Sequence, residues 1–70
     1  MTDMLEIHMT GIKSSGEIYE SRFTSQNSEA ATRDSYNIAK QNNLTFANVE
    51  AYARRKNGEV YLYDKWTIAL

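Results

Sequence analysis

Asn57-Gly58, set between two runs of alternating residues, constrains this chain more than any other feature. A two-residue type I′ loop needs positive φ at both central positions, which asparagine and glycine tolerate, so the pair predicts a tight β-hairpin. With Asn57 and Gly58 as the loop, counting outward sets the register. Lys56 then faces Glu59, Arg54 faces Tyr61, Tyr52 faces Tyr63 and Glu50 faces Lys65. On the other face Ala53 meets Leu62, Ala51 meets Asp64 and Val49 meets Trp66. This register pairs opposite charges, stacks two tyrosines and sets an arginine beside an aromatic ring. Each such pair contributes about 0.2–1 kcal/mol. A one-residue slip would carry a whole strand's apolar set to the wrong face.

The rest of the chain reads as two strands and a helix before this hairpin. Leu5, Ile7 and Met9 alternate with Glu6 and His8, predicting a half-buried strand over residues 4–9. Gly11 and Ser14-Ser15-Gly16 mark a loop. A second strand follows over residues 17–24, with Tyr19, Ser21 and Phe23 on one face. Ser25-Gln26-Asn27-Ser28 supplies N-cap chemistry for a helix over residues 28–42. Glu29 in its first turn and Lys40 near its last suit the macrodipole. Ala31, Ser35, Ile38, Ala39 and Asn42 share one narrow face, which can lie close on a sheet. Glu29, Arg33, Tyr36, Asn37 and Lys40 take the opposite face, with Glu29 and Arg33 spaced as an i,i+4 pair.

These elements predict one small α+β domain over residues 1–70, ββαββ, with a mainly antiparallel four-stranded sheet and one helix on one face. Val49, Ala51, Ala53, Val60, Leu62, Trp66 and Ile68 form the expected core side of the hairpin, joined by Leu5, Ile7 and Met9. Strand order stays open. A chain of 70 residues buries only about 60% of its unfolded surface, so the core is thin.

Composition narrows the function classes. The absence of cysteine excludes disulfide frameworks, thiolate zinc sites and cysteine nucleophiles, and a single histidine excludes multi-histidine metal sites. No metal or cofactor is expected. The three glycines are isolated, so no phosphate-cradling loop exists, and no catalytic spacing stands out. A non-enzymatic protein is therefore expected, with no catalytic residues. No apolar run approaches a membrane span, and Met1-Thr2-Asp3-Met4 has no signal-peptide character, so a cytoplasmic protein with no membrane partner is expected. The net charge of −1 argues against a strongly cationic nucleic-acid binder. Charge is nonetheless uneven. Residues 1–35 carry three basic and six acidic side chains, and residues 36–70 carry five basic and three acidic.

One helix leaves one sheet face uncovered, and that face is the expected partner-binding surface. It should display Tyr52, Arg54, Tyr61, Tyr63 and Lys65, with Glu50 among them. Tyrosine and arginine combine large contact area with a polar handle. The same pattern also fits a plain solvated outer face, since tyrosine is a good strand former. Tyr36 and Arg33 on the helix form a secondary candidate. His8 is expected as an exposed structural histidine. Asp64, on the core side opposite Ala51, calls for an edge position or a bulge at Tyr63-Asp64-Lys65. Arg54-Arg55-Lys56 beside the tyrosines supports a runner-up reading as a nucleic-acid-binding module. A third reading is a homo-oligomer that buries its tyrosine face against its own copy.

In layout the chain resembles the small inhibitors that phages and mobile elements encode against host defences, among them some type I anti-CRISPR proteins. The matching stretch runs over residues 23–66. Its clearest pieces are Glu29-Ala30-Ala31, Ile38-Ala39-Lys40 and Asn57-Gly58-Glu59-Val60-Tyr61. A small bacterial domain family of unknown function has a similar helix and hairpin. The resemblance implies inhibition by binding in a host cytoplasm, on a nucleic-acid-binding or subunit-docking surface of a larger host protein or nucleoprotein complex.

Overall fold

The computed structural model describes residues 4–70, and the reading of Met1-Thr2-Asp3 as lacking a signal lies outside them. In order along the chain come β1 (Leu5–Lys13), β2 (Ile18–Ser25), α1 (Ser28–Gln41), β3 (Leu44–Arg54) and β4 (Val60–Ala69). The four strands form one antiparallel sheet in the order β2-β1-β3-β4. This is the expected ββαββ α+β domain, with the strand order now defined. The two hairpins stand side by side through β1 and β3, and their turns lie at opposite ends of the sheet.

The helix is held at both ends by asparagines. Asn27 is the N-cap, and its Oδ1 accepts the Ala30 N–H at 2.8 Å. At the other end the Asn42 amide side chain donates to the Ile38 carbonyl at 2.8 Å. Asn43 then takes φ of 57°, turning the chain into β3. The expected Glu29–Arg33 pair does not form. Arg33 instead lies 3.6 Å from Asp34, an exposed contact of little energetic weight.

Small residues let α1 settle close on the sheet. Ala31, Ser35 and Ala39 are fully buried, and the two alanines share one core cluster with Ile7, Met9, Ala47, Val49 and Ala51. Ser35 is the polar member of this layer. Its hydroxyl donates to the Thr32 carbonyl at 3.0 Å and accepts the Trp66 indole N–H at 3.1 Å. The bond ties the edge strand β4 to the helix and leaves the buried hydroxyl satisfied.

The first strand and the second hairpin loop also differ from expectation. β1 does not stop at Met9 but runs through Gly11 to Lys13. Gly11 is a strand glycine, not a loop marker, because β3 crosses so close. A Cβ there would meet the Phe46 carbonyl oxygen at 2.7 Å and Leu44 Cδ1 at 2.8 Å.

The loop of the second hairpin differs too. Asn57 keeps a negative φ, so type I′ is not formed, and Gly58 alone takes the left-handed region at 89°. The loop holds three residues, Lys56-Asn57-Gly58, closed by Arg55 N–H to Glu59 O at 2.7 Å and Gly58 N–H to Arg55 O at 2.9 Å. Asn57 instead uses its side chain, accepting the Glu59 N–H at 2.9 Å.

The longer loop puts the tip one residue out of step with the expected register. Tyr52 faces Leu62, Ala53 faces Tyr61 and Arg54 faces Val60. A bulge between Ala51 and Tyr52, with Tyr63 as the extra residue on β4, then restores the register. Below it Val49–Trp66, Glu50–Lys65 and Ala51–Asp64 pair as expected. Asp64 accordingly sits on an edge strand beside a bulge, exposed to water.

Candidate interaction surface

The face away from α1 is built by alternation on four strands. Its rows follow from the registers. One row is Arg22, His8, Glu50 and Lys65, and the next is Thr24, Glu6, Tyr52 and Leu62. On the other side of the charged row come Glu20, Thr10, Asn48 and Thr67, then Ile18, Ile12, Phe46 and Ala69.

Tyr52 is the centre of this face. Its hydroxyl donates to Glu50 Oε1 at 3.1 Å, and its ring lies tilted against His8 with centroids 4.9 Å apart. The hydrogen bond to Glu50, with some desolvation and the carboxylate's charge, raises the Tyr52 pKa above its ordinary 10.0. Tyr52 is therefore a phenol held neutral and aimed by a carboxylate. His8 is half-buried in this contact instead of standing free. Arg54 braces the end of the sheet, with Nη2 3.3 Å from Glu6 Oε2 and Nη1 donating to the Gly58 carbonyl at 3.0 Å. Shallow depressions flank the centre. One is lined by His8, Glu20, Arg22 and Glu50, the other by Asn48, Glu50, Lys65 and Thr67.

The expected contact residues do not all come together. Tyr52, Arg54 and Lys65 share the uncovered face. Tyr61 does not, because its register partner Ala53 packs against the core on the helix side. There Arg55 stacks over the Tyr61 ring at 4.3 Å, taking the place expected for Arg54. Tyr63 is the exposed bulge residue. Tyr36 and Arg33 are exposed on the helix, and Lys40 Nζ lies 5.6 Å from the Tyr36 ring centroid. Tyr36 lines a groove with Trp66 and Ile68, remote from Tyr52's face.

Val60 and Leu62, expected in the core, stand on the uncovered face at 43% and 45% exposure. Sequence reasoning also missed Glu6 and His8 as parts of the central network, and the apolar row at the far end. Ile12, Ile18 and Phe46 there are 47%, 73% and 40% exposed. The signal was present, since continuing the alternation of β1 through Gly11 places Ile12 in frame with His8 and Thr10.

The basic hairpin tip is largely partnered within the chain. Arg54 is engaged by Glu6, and Arg55 Nε lies 3.6 Å from Glu59 Oε1. Among the described residues no three His, Cys, Asp or Glu side chains gather as metal ligands, and no helix is long and apolar enough to cross a membrane. No protein-family model, curated protein or solved structure matches this chain.

Proposed function

We propose that this chain is a non-enzymatic binding protein that docks its uncovered sheet face on a larger protein or nucleoprotein complex. In this reading it acts as an inhibitor of the anti-defence kind whose layout it resembles. One observation supports this above the others. Among the described residues nothing covers this sheet face, which carries an oriented Tyr52–Glu50–His8 centre and apolar residues at both ends. Apolar ends around a polar, partly preorganised centre offer both buried area and register to a partner. A patch of roughly 800 Å² per partner makes a standard interface.

The nucleic-acid reading draws less support, because Arg54 and Arg55 already face carboxylates. The test is affinity capture from a bacterial host lysate, with and without nuclease, comparing three proteins. These are the unaltered chain, the face variant Tyr52→Ala/Lys65→Glu and the helix variant Arg33→Ala/Tyr36→Ala. A discrete complex that survives nuclease, is lost with the face variant and is kept with the helix variant is the expected result. Loss with the helix variant alone, or capture of nucleic acid alone that fades with salt, would overturn it.

A further inference from the structure

Among the described residues the sheet ends at β2 on one side and β4 on the other, and these two edges differ. β4 is interrupted by its bulge at Tyr63. β2 pairs with β1 without any register shift from Ile18 to Ser25, and it carries no proline. A continuous edge is a template for a further strand unless something blocks it. Its outward backbone groups follow from the turn. Lys13 N–H bonds Glu17 O at 2.8 Å, so Glu17, Tyr19, Ser21 and Phe23 turn their backbone groups to β1. Ile18, Glu20, Arg22 and Thr24 turn theirs outward.

The charges on this edge lie symmetrically about Ser21. Place a second copy antiparallel, with a two-fold axis through the sheet beside Ser21. Glu20 then falls opposite Arg22 of the second copy, and Arg22 opposite its Glu20. Both are exposed residues on the uncovered face. On the helix side Tyr19 falls opposite Phe23, again twice, and both rings are only partly buried in the single chain. Ile18, exposed at 73%, falls opposite Thr24. Glu20–Arg22 and Ile18–Thr24 are the hydrogen-bonded pairs of this register, so the outward groups find partners. Centring the pairing on Glu20 or Arg22 instead would oppose like charges, which disfavours those alternatives.

We infer that the β2 edge is a self-recognition surface: two copies join β2 to β2 antiparallel about Ser21, forming one eight-stranded sheet with both helices on the same side. The occupant is a second copy because the charge pattern complements itself. The inference does not depend on the partner proposed above, since the Tyr52 centre lies on β1 and β3.

Charge reversal tests it. Sedimentation velocity over a range of concentrations should show a reversible dimer that weakens with salt. Glu20→Arg and Arg22→Glu should each weaken self-association about tenfold or more, because two attractive pairs become repulsive. An equimolar mixture of the two single variants should restore the dimer as a mixed species. The doubly exchanged E20R/R22E chain should restore it alone. Circular dichroism should show all variants folded, as these side chains are exposed. A monomer at every concentration, single reversals that leave the dimer unaltered, or a mixture that fails to pair would overturn the inference.

Discussion

The two hairpins use one turn and end differently. Ser14-Ser15-Gly16 and Lys56-Asn57-Gly58 are both three-residue loops with a left-handed glycine, at φ of 95° and 89°. In each, the middle residue's side chain accepts the N–H of the glutamate after the glycine, Ser15 from Glu17 at 3.5 Å and Asn57 from Glu59 at 2.9 Å. From that common start β1–β2 runs in one register to Leu5–Ser25, whereas β3–β4 carries an extra residue at Tyr63. The first hairpin therefore alternates cleanly and leaves a continuous edge. The second exchanges its faces between tip and base, relative to a regular two-residue loop. That exchange turns Tyr61 to the helix side and exposes Leu62. A turn sets register only as far as the next bulge.

One-residue deletions break this contrast most sharply. Removing Ser21 from β2 would carry part of its apolar set to the solvent face, so we expect a loss of about 1.5–3 kcal/mol or more from displaced Phe23 alone. Removing Tyr63 should cost far less, because the shortened strand pairs regularly and keeps Leu62 out and Trp66 in. Chemical denaturation of both variants measures the difference. Gly11→Ala comes next. Its Cβ meets backbone, so about 1–3 kcal/mol of destabilisation is expected from crowding, read as a lower denaturation midpoint.

Gly16→Ala and Gly58→Ala should each cost about 1 kcal/mol, since both glycines hold positive φ. Near-equal losses in thermal melts would confirm that the two turns are one motif. The smallest effect concerns Tyr52. Its raised pKa favours the neutral phenol in the folded state. The associated stability is present below pH 10.0 and is lost as pH rises through the folded value. Ultraviolet titration should show Tyr52 ionising at higher pH in the unaltered chain than in Glu50→Gln, because the hydrogen bond to Glu50 is the main cause of its raised pKa.

The legible and illegible parts of this molecule divide along the same line. Period-two alternation around Leu5, Ile7 and Met9 and the small-residue face of Ala31, Ser35 and Ala39 were enough for the elements and the layer they form. The base register of the second hairpin was also legible. A two-residue loop without a bulge and a three-residue loop with one bring Val49 opposite Trp66 alike. The tip was not legible, because Asn57-Gly58 suits either loop and the choice rests on the Asn57 side chain bonding Glu59 N–H. The candidate site suffered directly. Tyr61 and Leu62 are neighbours in sequence, so a single residue of slip exchanged them between faces. The Trp66–Ser35 bond joins positions whose pairing only the tertiary packing fixes.

Those two neighbours provide the most direct test of the binding face. Tyr61→Ala and Leu62→Ser should be compared for thermal stability and for capture of the same partner complex. The account predicts that Leu62→Ser loses capture and keeps its melting temperature, while Tyr61→Ala keeps capture and melts lower. Loss of capture with Tyr61→Ala at unaltered stability, with Leu62→Ser still binding, would contradict it.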